Sequence, residues 1–382
     1  MSKKPRLLIV RGVQPRMTEL LFYSHFKHFT VTMVGDKSTG WIVDAKIPRG
    51  IRFIDARLAP RWGFDPISTL LGPLHAHRSW QDVPGLNKLI QESDVVNISD
   101  AFYFYSGQAA TLCHKYHKKL ITIVWETIPR HISSYIPPYS MNVAAVIAQT
   151  TLFVARSYAA KKYIKSLGVD ENKIRVVYKG IDTKLFTPAY SGKRNVTRIL
   201  YVGQLVKSKG IIELIDAFKK LSTEFHNVEL WMCARSKHEE LELFIKEAAK
   251  KYPITLLTSV PYGTLPTIYQ KCDIYCQLSQ EWKYIGIIPG GNEWFSYAIL
   301  EAMASGLPIV TTGIGGTPEQ VGNNNFLVEQ KNMGAAYVAL KKLILNRQLR
   351  EEIGKKNTQR ARIHFDIIKQ AKKTEDAILQ TL

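Results

Sequence analysis

Short apolar runs alternate with helix-length segments along this chain, and the alternation occurs twice. A polar stretch at 189–197 separates the two series and is predicted to be a linker. Strands that alternate with helices form parallel sheets with helices packed on both faces. The sequence therefore predicts an α/β protein with two doubly wound, Rossmann-like domains. The predicted strands are 7–10, 31–34, 52–54, 95–98, 120–124, 152–154 and 175–177 in the first series, and 198–202, 228–233, 254–257, 274–277 and 308–311 in the second.

Length and composition agree with two folded domains. The chain has 382 residues, which exceeds the usual size of a single core, and its 46% hydrophobic content is that of a globular protein. The cysteines are too few and too scattered for a disulfide framework, and two of them, spaced C-x3-C, lack the paired partners of a zinc site. We therefore expect four buried, reduced thiols, at Cys113, Cys233, Cys272 and Cys276.

The charge of the chain is unevenly distributed. The formal net charge is +20, and residues 1–62 hold twelve Lys and Arg against four Asp and Glu. Such a surface favours an anionic partner, either a phospholipid membrane or a lipid-linked phosphate, while a plain solvated face remains equally open. Nucleic acid is not expected, because no recognition motif accompanies the basic residues.

The N-terminal apolar run, 7–10, is too short for the core of a signal peptide, and no run approaches the ~20 apolar residues of a membrane span. We therefore expect a cytoplasmic protein, with a peripheral position on the inner face of the cell membrane as a further expectation.

The segment 292–319, NEWFSYAILEAMASGLPIVTTGIGGTPE, contains two glutamates around a predicted helix start. Ser296 is a favourable N-cap residue, and the following residues lack helix breakers until Gly306 and Pro308. The first turn of such a helix has unpaired N–H groups, which suit a phosphate. Glu293 precedes the helix and Glu301 lies inside it, and carboxylates accept hydrogen bonds from sugar hydroxyls. An ordinary αβ unit with solvated glutamates is the alternative.

The first turn of each predicted domain lacks the glycine fingerprint of nicotinamide-binding enzymes. The sequence is RGVQPR at 11–16 in the first domain and GQLVKSKG at 203–210 in the second. The second loop places Lys207 and Lys209 just before a predicted helix, where a cation and the helix dipole could act together on a diphosphate. We favour Lys209 as that contact, although a lysine in a surface loop can also be merely solvated.

Several motifs together resemble one family. YVGQL at 201–205 with Lys209 and Gly210, Glu293-x7-Glu301 followed by AMA, and GGTPE at 315–319 are similar to the retaining glycosyltransferases of family 4 (GT4, also glycosyl transferases group 1), which have the GT-B fold. VARS at 154–157 and KGIDTKLFTP at 179–188 agree with this. The resemblance covers about 150–380 well and the first 150 residues in outline. It implies two Rossmann-like domains facing a cleft: an acceptor domain, 1–188, and a nucleotide-sugar domain, 189–363, with a final helix, 364–382, packing back on the first.

The resemblance also implies roles for individual residues. A UDP- or GDP-sugar would be the co-substrate, with no bound metal or cofactor, and transfer would retain the anomeric configuration. Glu301 would accept from the ribose hydroxyls, Glu293 would hold the transferred sugar, and Lys209 would neutralise the leaving diphosphate. Tyr262 lies where the family packs the base. The implied donor-binding residues are Gly203, Gln204, Lys209, Tyr262, Glu293, Phe295, Ser296, Tyr297 and Glu301.

Three positions depart from the family pattern. Gln204 replaces the usual Arg, so diphosphate binding is expected to depend more on Lys209. Ser296 replaces a Gly, which restricts close backbone approach. WET at 125–127 occupies the region where a His is usual, and Glu126 becomes a third candidate catalytic residue, with Glu293 and Lys209. A carboxylate at Glu126 could stabilise an oxocarbenium-like state, or it could be tied to Arg130 instead.

The first domain is expected to bind the acceptor. Asp100 ends a predicted strand and could meet the acceptor hydroxyl, and Gly12 and Glu126 are assigned to the same side. Aromatic residues suggest a lipid-linked or phospholipid acceptor, although a soluble one stays open. These aromatic residues are Trp41, Trp62, Phe64 and the run 102–105.

Two other functional classes compete with a sugar transferase. A nucleotide-sugar epimerase can have a similar two-domain shape, and a non-catalytic protein could bind anions or nucleotides at the same loops. The spacing of Glu293 and Glu301 before Ala302-Met303-Ala304 favours the transferase.

Overall fold

The computed structural model describes residues 3–12, 16–37, 47–60, 81–129, 131–189, 195–235, 238–258, 260–284 and 288–382. Three aromatic residues and one arginine named above lie outside these ranges, as does most of the predicted linker. They are Trp41, Trp62, Phe64 and Arg130.

The chain divides into two compact units. Unit 1 comprises Met1–Gly180, Lys283–Gly290 and Ile367–Leu382, and unit 2 comprises Ile181–Trp282 and Gly291–Asp366. The division lies before the predicted boundary at 188, because the chain already packs into unit 2 at Phe186. The ring of Phe186 lies 5.8 Å from that of Tyr262 and 5.7 Å from that of Tyr269.

Unit 1 contains a seven-stranded parallel sheet whose order is β3-β2-β1-β6-β7-β8-β9. Its strands are nearly continuous apolar runs because helices cover both faces. The strands of this unit are β1 (Arg6–Gly12), β2 (Thr30–Gly35), β3 (Ile51–Asp55), β4 (Ala59–Pro60), β5 (Gln81–Asp82), β6 (Val95–Ser99), β7 (Lys119–Val124), β8 (Thr150–Ala155) and β9 (Ile174–Val176). The helices are α1 (Met17–Ser24), α2 (Leu86–Gln91), α3 (Phe104–Lys115), α4 (Tyr139–Gln149) and α5 (Tyr158–Ser166).

Unit 2 contains a six-stranded parallel sheet of order β12-β11-β10-β13-β16-β17. The strands are β10 (Thr197–Gln204), β11 (Val228–Arg235), β12 (Ile254–Thr258), β13 (Ile274–Gln277), β16 (Ile309–Thr312) and β17 (Phe326–Val328). A separate pair of strands, β14 (Trp282–Tyr284) and β15 (Ile288–Gly291), belongs largely to the segment Lys283–Gly290 of unit 1. The helices are α6 (Ile211–Glu224), α7 (Glu239–Ala249), α8 (Leu265–Gln270), α9 (Tyr297–Ala304), α10 (Thr317–Val321), α11 (Met333–Leu345) and α12 (Arg347–His364), and the last helix of the chain is α13 (Ile367–Leu379).

The α/β prediction is confirmed, and every predicted strand is present with ends shifted by a few residues. The order of strands reverses between β1 and β6 in unit 1 and between β10 and β13 in unit 2. Open parallel sheets bind ligands at the carboxyl ends of the strands at such a reversal. Sequence reasoning missed β17 and the short strands β4, β5, β14 and β15, which lie outside the two main sheets.

The final helix begins at Ile367, after the predicted start at 364. The preceding helix ends at His364, and the backbone of Phe365 is taken up by Ile181, whose N–H donates to the Phe365 carbonyl at 2.7 Å. Phe365 is fully buried and has a non-helical backbone (φ −128°, ψ 11°), so the two helices are separate at this point. The residues from Ile367 group with unit 1.

All four cysteines are buried and no disulfide joins them, as predicted. Within the described ranges no helix combines the length and apolarity that would let it cross a bilayer.

Candidate functional site

Two loops at the strand ends of unit 2 lie unusually close to the backbone of neighbouring segments. Gly210, which follows the turn 207–209 after β10, has φ +65°, and a Cβ there would lie 2.0 Å from the carbonyl oxygen of Leu278. Gly315 has φ +54°, and its Cβ would lie 2.0 Å from the carbonyl oxygen of Glu293. Only glycine fits either position. The loop before α6 is thereby held against the end of β13, and the loop after β16 is held against the segment that carries Glu293.

The Glu293 carboxylate is the centre of a hydrogen-bonded cluster. Its Oε2 accepts from Lys209 Nζ at 2.5 Å, from Gln277 Nε2 at 2.6 Å and from Ser279 Oγ at 2.8 Å. Glu293 is buried, and the side chain of Lys209 is one-quarter exposed. Charge-assisted hydrogen bonds to a buried carboxylate are strong, so these four side chains form one unit.

The orientation of Gln277 is fixed by the hydroxyls around it. Tyr275 donates to Gln277 Oε1 at 2.8 Å, and Ser296 Oγ donates to the same oxygen at 3.2 Å. Burial raises the pKa of Tyr275 well above its usual range, so this phenol remains a donor. The amide NH₂ of Gln277 must therefore face Glu293. Sequence reasoning missed Gln277 and Ser279; the available signal was two polar residues at the carboxyl end of a buried strand.

Helix α9 starts after Ser296, as predicted, but the side chain of Ser296 does not cap it. Its Oγ points to Gln277, and its backbone is held by a buried glutamine instead. Gln320 Oε1 accepts from the Ser296 N–H at 3.0 Å, and Gln320 Nε2 donates to the Ser296 carbonyl at 2.5 Å. The Ser296 amide, expected to meet a phosphate, thus already has a partner.

Glu301 lies inside α9 and is buried, and its Oε2 accepts from the Tyr269 hydroxyl at 2.8 Å. Tyr262 lies nearby: burial, followed by the charge of Glu301 and the neighbouring Tyr297, raises its pKa well above the usual range. The aromatic side chain of Phe295 is in the core, 5.6 Å from the ring of Phe365. Glu301 and Tyr262 are therefore brought together, while Phe295 can offer only its backbone to a ligand.

The two lysines of the loop after β10 differ. Lys209 reaches Glu293, whereas Lys207 is exposed and lies 3.7 Å from the exposed Glu240. The side chain of Gln204 is exposed, and its carbonyl accepts from the Tyr201 hydroxyl at 2.6 Å. Gly203 lies beside the same tyrosine, whose hydroxyl would be 2.7 Å from a Cβ at that position.

In unit 1, Asp100 follows β6 with a left-handed backbone (φ 51°) and is buried. Its Oδ1 accepts from the N–H of Trp125 at 2.8 Å and from the N–H of Glu126 at 3.2 Å. Burial, reinforced by the charge of Glu126, raises the pKa of Asp100 to about 7. One carboxylate oxygen of Asp100 thus holds the loop that carries Glu126.

Glu126 follows β7 and is almost completely buried. Its Oε1 accepts from the N–H groups of Thr127 and Ile128, both at 2.8 Å. Its Oε2 lies 4.0 Å from His131 Nε2, and His131 Nδ1 is 2.7 Å from Ser133 Oγ. The loop therefore brings a histidine beside Glu126, which the sequence did not predict; the proposed pairing with Arg130 lies outside the described residues.

The other features assigned to the acceptor side differ in their exposure. Gly12 has φ +55° and lies against Tyr105, whose ring would be 2.4 Å from a Cβ there. Phe104 and Tyr105 are core residues, so the expectation that the run 102–105 meets a lipid is wrong for these two. Phe104 packs against Tyr139 of α4, and Tyr105 lies in the apolar core of the unit. Arg11, which precedes Gly12 in β1, forms an ion pair with Glu19 of α1 at 2.9 Å.

Among the residues that the structure describes, no three or more His, Cys, Asp or Glu side chains are grouped so that they could hold a metal ion.

Two family models match the chain. Residues 49–185 match the model "Glycosyltransferase Family 4", and residues 188–360 match the model "Glycosyl transferases group 1". Neither model describes an epimerase, so the comparison does not favour that alternative.

Curated relatives are about a quarter identical to this chain over the aligned residues. The capsular polysaccharide biosynthesis glycosyltransferase CapM of Staphylococcus aureus is 28% identical over 246 residues, which are 60% of this chain and 62% of the relative. The D-inositol 3-phosphate glycosyltransferase of Paenarthrobacter aurescens (strain TC1) is 26% identical over 211 residues, 51% of this chain and 49% of the relative. The chain thus spans about half to three-fifths of the length of these relatives.

The fold is that of known glycosyltransferase structures. Anabaena Alr3699/HepE, solved in complex with UDP and glucose, superposes with a TM-score of 0.72 at 17% identity, covering 99% of this chain and 100% of that one. At this identity the likeness shows the fold, and the predicted GT-B class is confirmed.

Proposed function

Because the chain belongs to the family 4, group 1 glycosyltransferases, we propose that it transfers a sugar from a UDP- or GDP-sugar to an acceptor hydroxyl with retention of the anomeric configuration. The bond between the anomeric carbon and the diphosphate oxygen breaks, the acceptor oxygen bonds to that carbon, and the acceptor proton passes to the nucleoside diphosphate that is released. One observation carries the proposal: Lys209 and Glu293 are in contact at the ligand-binding edge of the unit 2 sheet, with Glu301 in the adjoining helix.

The donor residues divide by chemistry. Glu301 and Tyr262 suit the nucleoside, since a carboxylate can accept from ribose hydroxyls and an aromatic ring can pack on a base. Lys209 suits the diphosphate, because the developing negative charge of the leaving group needs a nearby cation. Glu293 suits the hydroxyls of the transferred sugar. The UDP and glucose in the Anabaena structure support a nucleotide-sugar donor.

Glu126 is the proposed catalytic residue of unit 1. It is a buried carboxylate held by two backbone amides, so its position is defined before any substrate binds. Such a group can stabilise an oxocarbenium-like state or orient the sugar. Asp100 and Gly12 are proposed to belong to the acceptor side, with Asp100 acting there through the loop that it holds.

The proposed acceptor is a lipid-linked or phospholipid glycan precursor, met by a cytoplasmic protein that is peripheral on the inner face of the membrane. The net charge of +20, concentrated in part in the first 62 residues, supports this choice, and a relative that acts in capsular polysaccharide biosynthesis agrees with it.

The donor half of the proposal is tested with a panel of UDP- and GDP-sugars, incubated with the protein with and without a membrane extract. We expect binding of at least one donor, slow hydrolysis without the extract, and labelled sugar in the lipid fraction with it. Conversion of a donor to its epimer without an acceptor would show an epimerase. Absence of binding to every donor would remove the enzymatic proposal.

The membrane half is tested by sedimentation with liposomes. Vesicles that contain anionic phospholipid should carry the protein down at low salt and release it at high salt, because exposed charges separated by more than about 10 Å are screened at about 0.1 M salt. Equal sedimentation with neutral vesicles, or none with either, would contradict the anionic membrane surface.

A further inference from the structure

We propose that Gln277 and Ser279 are positioning residues that hold the Glu293 carboxylate for sugar recognition independently of Lys209. The proposal rests on the proposed function and assigns two residues that the sequence motifs do not include. It predicts that the two polar residues contribute to binding of the sugar part of the donor and do not contribute to binding of its nucleotide part.

A single carboxylate oxygen, Oε2 of Glu293, accepts from the lysine and from both polar residues. Lys209, Gln277 and Ser279 all donate to Glu293 Oε2, at 2.5, 2.6 and 2.8 Å. If Lys209 also neutralises a diphosphate, its charge is shared between that group and Glu293 when a donor binds. A buried carboxylate that lost its cation without other donors would be costly. Gln277 and Ser279 supply those donors.

Further hydrogen bonds fix the side chain of Gln277 and the position of Ser279. Gln277 Nε2 donates to Ser279 Oγ at 2.8 Å, which leaves the Ser279 hydroxyl hydrogen directed at Glu293. The other end of the Gln277 amide accepts from Tyr275 and Ser296. The side-chain hydroxyl of Thr312 donates to the Ser279 carbonyl and ties that residue to the end of β16. Side chains of β13, β16 and the start of α9 therefore define where Glu293 lies.

Substitution of Gln277 would leave its neighbours Tyr275 and Ser296 with other hydrogen-bond partners. Tyr275 also donates to the Val202 carbonyl at 3.2 Å, so its hydroxyl keeps an acceptor when Gln277 is removed. The backbone of Ser296 remains held by Gln320. Replacement of Gln277 should therefore release Glu293 without dismantling the sheet edge.

The test compares the affinity of a nucleotide sugar with that of its nucleoside diphosphate by isothermal titration. The probes are UDP-glucose with UDP, and GDP-mannose with GDP. Gln277→Leu should lower the ratio of nucleotide-sugar to diphosphate affinity about tenfold and Ser279→Ala about threefold, while diphosphate affinity stays within about twofold, as expected for one or two lost hydrogen bonds. The matched control is Gln108→Leu, a half-buried glutamine of unit 1 that hydrogen-bonds Val83.

An unchanged ratio in both variants would overturn the proposal while leaving the proposed function intact. Loss of diphosphate affinity equal to the loss of nucleotide-sugar affinity would also overturn it, because the effect would then not concern the sugar. Failure of the unaltered protein to bind any of the four probes would remove the proposed function, and this proposal with it.

A second variant keeps the side-chain volume and adds a readout that a purely structural role would not produce. In Gln277→Glu the introduced carboxyl can donate to Glu293 only while protonated, and two carboxylates at such a distance share one proton. Lys209, Tyr201 and Tyr275 also face Glu293; burial raises the pKa of both phenols, so they stay neutral. The affinity ratio of the variant should be near that of the unaltered protein at pH 5.5 and about tenfold lower at pH 8. A ratio independent of pH would contradict positioning by Gln277.

Discussion

Glu126 in unit 1 and Glu293 in unit 2 are both buried carboxylates at the carboxyl edge of a parallel sheet, but different groups hold them. Glu126 accepts from the backbone amides of the next two residues, whereas Glu293 accepts from three side chains that lie on two separate segments. The first arrangement depends on local chain geometry and survives the loss of a neighbouring side chain. The second depends on tertiary contacts, so single substitutions should disturb it.

The charges around the two carboxylates differ as well. Glu293 has a lysine at 2.5 Å, while the carboxyl of Asp100 accepts from the same loop that carries Glu126, and His131 lies 4.0 Å from Glu126. A cation beside the carboxylate suits unit 2 to an anionic donor. Two carboxyl groups close together suit unit 1 to a hydroxyl group or to developing positive charge.

The largest expected effect comes from the cation. Lys209→Met should lower kcat/KM about 10³-fold, because it removes the charge proposed to stabilise the leaving diphosphate and leaves Glu293 without its cation. Steady-state kinetics with the preferred donor measures this. Lys207→Met is the matched control, since that lysine is exposed and two residues away, and it should change kcat/KM less than about threefold. Similar losses in both variants would mean that the contact with Glu293 does not identify the functional lysine.

The next effect tests unit 1. Glu126→Gln should lower turnover about 10²-fold and change donor affinity less than about threefold, because the amide oxygen can still accept from Thr127 and Ile128 while the negative charge is lost. Turnover and donor titration are compared with Glu171→Gln, an exposed carboxylate of the same unit. Turnover equal to that of the unaltered protein would remove Glu126 from the mechanism.

A smaller effect concerns stability and pH. Burial, followed by the charge of Glu126, raises the pKa of Asp100 from 3.8 to about 7, so the folded state binds a proton between about pH 4 and 7 that the unfolded state has released. This contribution is present at low pH and is lost as the pH rises through 7. Relative to the unaltered protein, Asp100→Asn should gain about 2 kcal/mol in free energy of unfolding between pH 4 and pH 6. Urea unfolding at both values measures the difference, and a constant difference would contradict the burial of a titrating carboxyl.

The smallest effect is at the start of α9. Ser296→Gly restores the residue that the family resemblance leads one to expect and removes the 3.2 Å hydrogen bond to Gln277, while Gln320 still holds the backbone. We expect a loss of nucleotide-sugar affinity of about twofold to threefold, measured by titration. A loss of tenfold or more would mean that Ser296, and not Gln277 alone, fixes Glu293.

The sequence predicts what depends on local pattern. Both sheets could be predicted because strands buried on two faces are continuous apolar runs. The start of α9 could be predicted from the residues after Ser296, which lack helix breakers. Lys209, Glu293 and Glu301 follow from loop and helix signals together with the family resemblance. Their roles in binding remain proposals, but the structure does bring Lys209 to Glu293.

The sequence does not predict what depends on tertiary contact. Gln277 and Ser279 meet Glu293 only because β13 ends beside it, and no spacing in the chain encodes that approach. The burial of Phe104 and Tyr105 depends on which face of α3 packs on the sheet. The break before the last helix depends on a hydrogen bond between Ile181 and Phe365, which are far apart in sequence.

Hydrogen–deuterium exchange with and without saturating UDP or GDP tests the central claim, that the sheet edge of unit 2 holds the donor nucleotide. The account predicts protection by one of these nucleotides in peptides that cover residues 203–211 and 293–304, with no protection at 124–131 around Glu126. Protection confined to unit 1, or none with either nucleotide, would contradict it.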